Sequence, residues 1–195
     1  MKARTETETL LRFLAKVPDL NDEERLRLAE ELPVHEFPKG AVLLRQGDVP
    51  DSCFFILEGC VRQYSLDEDG TETSIEFFTE EQAVEIFQGQ AGGKPSEYSL
   101  ACVEDSVILV GDLKTLPATY AKYPKLVPIT RAMMERNYAK TKEAFAAFKS
   151  SSPEERYRSL LGNRPELLER VPHYLIASYL GITPESLSRI RKRIS

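Results

Sequence analysis

The stretch His173-Tyr-Leu-Ile-Ala-Ser-Tyr-Leu-Gly-Ile-Thr-Pro-Glu-Ser-Leu-Ser-Arg-Ile-Arg-Lys-Arg193 sets out two short helices and the turn between them. Ile176, Leu180, Ile182, Leu187 and Ile190 supply core positions, and Ala177 is small enough to let a second helix cross closely. Gly181 accepts the positive φ of a tight helix-to-helix turn. Thr183 then serves as N-cap of the last helix and Pro184 opens it. The first helix of the pair is expected from Pro172 to Leu180 and the second from Pro184 to the end.

If Leu187, Ile190 and Ile194 face inward, a rotation of about 100° per residue gathers Glu185, Ser188, Arg189 and Lys192 on the opposite face. Arginine donates two hydrogen bonds to guanine O6 and N7, and glutamate accepts from cytosine N4, so Arg189 and Glu185 are the natural base readers in a major groove. Arg191, Lys192 and Arg193 lie toward the flank and far end, where phosphates run. The plain reading, an amphipathic helix with a solvated charged face, would serve for a lone helix; the preceding helix and turn in register favour a reader. The formal net charge of −5 argues against nucleic acid, but its distribution does not. From Pro172 onward Arg189, Arg191, Lys192 and Arg193 face a single acid, Glu185, so a positive tail follows an acidic body.

Working upstream, Ser152-Pro153-Glu154-Glu155 is a helix start, with Ser152 as N-cap, Pro153 at the first helical position and Glu155 completing a capping box. Helices are expected at Pro153 to Leu161 and briefly from Pro165. Before that hinge a long helix reaches from Pro124 to about Lys149. Met134, Tyr138, Thr141, Phe145 and Phe148 recur at alternating spacings of four and three and lay one stripe along it. Part of the stripe packs on its own subunit, but a helix between two small domains best buries such a face against its own copy, which predicts a homodimer. The chain divides into 1–123, a dimerisation helix 124–150 and a helix-turn-helix domain 151–195.

The first part changes period. Leu10, Phe13, Leu14 and Val17 define an amphipathic helix stopped by Pro18, and Asn21 with Glu24 opens a second that ends at Pro33. From Val34 short β-like runs alternate with turns: Ala41 to Leu44, Cys53 to Leu57, Cys60 to Leu66, Thr73 to Phe78, Tyr98 to Val103 and Val107 to Val110. This spacing predicts an antiparallel sandwich or barrel, so the whole chain is α+β. The glycines of Gln88 to Lys94 mark a functional loop. Hydrophobic residues at 42% and charged residues at 29% exclude a disordered chain or a fibre. No apolar run reaches the roughly 20 residues of a membrane helix, and the polar N-terminus is unlike a signal peptide, so a cytoplasmic protein without membrane contact is expected. Cys53, Cys60 and Cys102 are too scattered for a disulfide framework and read as small buried hydrophobes, with a redox switch as the rarer use.

Residues 174–193 resemble the C-terminal helix-turn-helix of Crp/Fnr transcription regulators. Phe37-Pro-Lys-Gly40, Gln46-Gly-Asp48, Phe54-Phe-Ile-Leu-Glu-Gly-Cys-Val61 and Glu104-Asp105 resemble their cyclic-nucleotide-binding domain, a double-stranded β-helix or jelly roll. The resemblance spans nearly the whole chain and implies a homodimer on double-stranded DNA at an inverted-repeat operator, with RNA polymerase as a further partner. The resemblance places Glu185 and Arg189 at positions that contact bases, and together with the reading of the helix face the expected DNA-contact set is Thr183, Glu185, Ser186, Ser188, Arg189, Lys192 and Arg193. Where the family carries an arginine before the glutamate, Pro184 stands here, so operator preference should differ. The sequence ends just after the recognition helix, and no complete wing is expected.

Family members that bind cyclic nucleotide use a Gly-Glu pair for the ribose and an arginine for the phosphate. Counting back from Glu104-Asp105 places Ser96 at the arginine position, no glycine precedes Glu85, and the loop offers only Lys94 as a cation. A buried phosphate would lose its bidentate partner, which predicts an effector other than cyclic AMP, or none. The effector loop expected is Glu85, Gly89, Gly92, Gly93, Lys94, Ser96 and Tyr98. His35 and His173 are too few for a metal or haem sensor or for a cupin-like enzyme, and the cysteines do not cluster for iron and sulfur. No nucleophile-base pair is visible, so neither a cofactor nor catalysis is expected. The competing reading is a protein-interaction adaptor whose helix-turn-helix no longer binds DNA.

Overall fold

The computed structural model describes residues 2–84 and 93–194, with the backbone alone for 2–5, 140–141 and 143–150. Two helices open the chain, α1 (Lys2–Leu14) and α2 (Asp22–Glu31), the second held by the expected Asn21/Glu24 capping box. Strands β1 (Val34–Phe37), β2 (Val42–Leu44), β3 (Ser52–Glu58), β4 (Val61–Leu66), β5 (Glu72–Phe78), β6 (Ala83–Val84), β7 (Ser99–Cys102) and β8 (Ser106–Asp112) follow. They form two antiparallel sheets of order β1-β8-β3-β6 and β2-β7-β4-β5. The arrangement is a sandwich of two open sheets; among the described residues the strands do not close into a barrel.

Burial explains why these strands alternate so little. Ile56, Val61, Leu100, Cys102 and Ile108 fill the space between the sheets. Phe55, Leu57 and Val107 point the other way, under Leu10, Leu14 and Leu28 of the N-terminal helices. The Phe13 and Phe55 rings meet at 4.8 Å. β3 is thus buried on both faces and reads as a continuous apolar run, as sequence covered on two sides must. Gly59 fits the turn into β4 because its φ is +108° and a Cβ there would lie 2.2 Å from Ser106 Oγ.

Helix α3 (Leu116–Lys122) leads into α4 (Leu126–Ser150), and α5 (Pro153–Asn163), α6 (Glu166–Arg170), α7 (His173–Tyr179) and α8 (Pro184–Ile194) complete the chain. Ser152 and Glu155 form the expected capping box at the start of α5. Three elements were not expected from sequence: β1 and β6, which are short and carry little apolar alternation, and α3. One face of α4 packs Leu126, Ile129 and Met133 against the sandwich, and Asn137 Nδ2 donates to the Ala83 carbonyl at 3.0 Å. The adjoining face presents Met134, half-buried, and Tyr138, 64% exposed. The side chains of Thr141, Phe145 and Phe148, which continue the expected dimer stripe, lie outside the described residues.

Candidate nucleic-acid interface

The C-terminal helices are welded by Tyr157, Leu167, Ile176, Ala177, Leu187 and Ile190. Ala177 is fully buried, as its small size at a crossing requires. Gly181 turns the chain at φ +68° between α7 and α8, with its N–H on the Ser178 carbonyl at 3.0 Å and the Ile182 N–H on the Ala177 carbonyl at 3.0 Å. A Cβ in that conformation would be strained, so the turn fixes how α8 leaves α7. Thr183 Oγ1 accepts from the Ser186 N–H at 3.3 Å and caps α8.

With Leu187 and Ile190 buried, Glu185, Ser188, Arg189 and Lys192 stand together on the exposed side of α8. Glu185 is held below the usual carboxylate range by its own backbone N–H first, then by the Thr183 hydroxyl, with Arg189 adding attraction. It is therefore a ready acceptor near neutral pH. Ser186 is half-buried beside its cap. Arg193 is tied to Glu154 of α5 at 3.0 Å. Arg191 Nη1 lies 3.2 Å from His173 Nδ1, and with Ser188 and Lys192 these two line a crevice of about 290 Å³.

In the sandwich, Ser96 is 5% exposed, and its hydroxyl donates to the Tyr98 carbonyl at 2.7 Å. Its backbone is paired with Asp48 and Gly47 at 2.8 Å each. Ser96, expected from sequence at the position of the phosphate arginine, is thus a small, locally satisfied residue. Tyr98 packs partly into the core beside it, and Gly93 and Lys94 are exposed. Glu85, Gly89 and Gly92 lie outside the described residues. Burial raises all three thiols, Cys60 to about 12, so neither thiolate chemistry nor ready oxidation is favoured at neutral pH. Among the described residues no three His, Cys, Asp or Glu converge as a metal site, and no helix is long and apolar enough to cross a membrane.

Sequence reasoning missed the acids and arginines that join the two halves of the molecule. Arg164 Nη1 meets Glu76 at 2.8 Å, and Arg170 meets both oxygens of Glu80, at 2.9 and 2.7 Å. It also missed Glu81, whose φ of +62° puts a non-glycine residue in the left-handed region between β5 and β6. No local pattern marks either feature.

Residues 34–123 match the cyclic nucleotide-binding domain family. No curated protein sequence matches the chain. Several solved structures share its architecture. The c-di-GMP-responsive global regulator CLP of Xanthomonas campestris is 15% identical and superposes with a TM-score of 0.67, covering 96% of this chain and 90% of its own. A CooA mutant from Carboxydothermus hydrogenoformans is 16% identical with a TM-score of 0.67, covering 94% and 83%. A CRP-family transcriptional regulator from Thermus thermophilus is 16% identical with a TM-score of 0.64, covering 82% and 83%. Residues 34–123 are therefore similar to a cyclic nucleotide-binding domain, and helices follow them to the end of the described residues. Its fold is the one these solved structures share.

Proposed function

We propose that the chain is a homodimeric transcription regulator that reads double-stranded DNA with α8, its sandwich responding to an effector other than cyclic AMP or to none. The observation that carries this is the exposed set Glu185, Ser188, Arg189 and Lys192, presented on one face of a helix whose other face is locked by Leu187 and Ile190. Such a face supplies a bidentate donor and a carboxylate acceptor for base edges beside a cation for phosphate. Arg191 and Lys192 at the crevice with His173 suit the flanking backbone. Thr183 and Ser186 act first as the cap, and Arg193 reaches DNA by exchanging Glu154 for a phosphate. RNA polymerase as a partner rests on the resemblance alone.

Selection of duplexes from a random pool by the full-length protein tests this reading. An inverted repeat should emerge, with half-sites about 34 to 36 Å apart. Arg189→Ala should cost about 1 to 3 kcal/mol per half-site and relax one symmetric base pair of the selected sequence. Lys192→Ala should weaken all sequences alike and lower the salt dependence by roughly one unit for each phosphate left without its cation. A pool that yields no enriched sequence would instead favour the adaptor reading, and an Arg189→Ala protein with an unchanged preference would unseat the base-reading face.

A further inference from the structure

The helical domain does not hang from its linker. Phe77 of β5, fully buried, inserts into the same apolar cluster as Leu167, Ile176 and Leu187, together with Cys60 and Val103 of the sandwich. Its ring meets Tyr179 edge-on at 5.4 Å. The register of β4 against β5 explains how: Phe77 pairs with Arg62 on the outer face of the sheet, while Val61 turns into the sandwich core. At the same face the Ser74 N–H donates to Ser178 Oγ of α7 at 2.9 Å.

A charged rim surrounds this seat. Arg164, at the end of α5, donates to Glu76 at 2.8 Å and to the Phe77 carbonyl at 2.7 Å. Arg170, at the end of α6, grips Glu80 with both terminal nitrogens and reaches Glu104 through Nε at 3.0 Å. The Arg164 and Arg170 side chains are each 23% exposed, so screening is limited and the paired geometry counts. In a freely tethered domain both arginines would be candidate phosphate contacts. Here Glu76 of β5 and the turn residues Glu80 and Glu104 occupy them, and the exposed face of α8 remains open.

We propose that Arg164 and Arg170 are positioning residues. Resting on the DNA-reading assignment above, they lock the domain to the β4-β5 sheet in its reading orientation, so that the dimer accepts one half-site spacing without help from an effector. A base-pair insertion rotates one half-site by roughly 35° about the duplex, which a locked pair of helices cannot follow and tethered domains can. Because the lock is made by acids on the sandwich, removing those acids must have the same effect as removing the arginines.

Two full-length variants test this, Arg164→Gln/Arg170→Gln and Glu76→Gln/Glu80→Gln/Glu104→Gln, the second of which alters no cation that DNA could use. Each is measured on the selected operator and on one lengthened by two base pairs, and hydrogen exchange at the Ser74 amide is followed without DNA. The wild type should prefer its own spacing by at least about tenfold, and both variants by less than about threefold, with faster exchange and an unaltered salt slope. If the arginine variant loses about one unit of salt slope per arginine while the glutamate variant keeps its spacing preference, the arginines are phosphate contacts and the proposal falls. Exchange unchanged in both variants would overturn the lock alone. A wild type that selects no duplex would overturn the DNA-reading assignment, and the positioning role with it.

Discussion

At the scale of single residues, Ser96 makes the clearest chemical statement about the sandwich. Its hydroxyl and both backbone groups are satisfied within the fold, and its described hydrogen-bond partners include no bidentate cation to replace the missing arginine. An anion entering there would exchange its hydration for weaker donors. Calorimetric titration of the full-length protein with cyclic AMP should therefore show no saturable heat at micromolar concentration, and a site of one nucleotide per subunit would refute the argument. The exposed face of α8 was legible in the sequence because a helix has one period and one buried stripe fixes every other position on it. The partners of Arg164 and Arg170 were not, since Glu76, Glu80 and Glu104 lie more than sixty residues away and only folding brings them near.

Among the elements, α4 divides its surface by function. Leu126, Ile129, Met133 and Asn137 are spent on the sandwich, leaving Met134 and Tyr138 about a quarter turn away with no such cover. A tyrosine that is 64% exposed on a helix of this length presents a ring to be buried by a second copy. Tyr138→Asp should place a charge in the proposed two-fold seam and shift the sedimentation mass toward the monomer; an unchanged dimer mass would remove α4 from the interface. Helix starts at Asn21 and Ser152 were readable because a capping box is a local signal. β1 and β6 were not, because a four-residue strand reading Val-His-Glu-Phe and a two-residue strand owe their place to neighbours and not to their own pattern.

Across the whole molecule the layers run from the N-terminal helices through two sheets to the helical domain, and the last junction is electrostatic at its rim. Burial pushes the Glu80 carboxyl up, but the Arg170 hydrogen bonds and the backbone donors of Glu80 and Gly59 outweigh it, leaving the group below its ordinary value. A depressed carboxylate contributes stability that is complete above the ordinary range near about 4 and disappears as pH falls through the lower folded value. Small-angle scattering should accordingly show a compact particle from neutral pH down to about 5, and expansion below about 4. Glu80→Gln should blunt that pH dependence; an identical profile in the variant would assign the acid response to other groups.

The seat of Phe77 also changes what counts as a module. By its place in the chain this ring is part of the sandwich, yet its neighbours are the interior of the helical domain. A graft that exchanged only residues 151–195 for those of another chain of this fold would leave the incoming helices with an unfilled hollow, and would leave the resident sandwich with an aromatic plug and three carboxylates facing strangers. The interchangeable part is the helical domain together with the β4-β5 hairpin and the β7-β8 turn on which it sits, three pieces of sequence that recombination at a single crossover cannot carry as one.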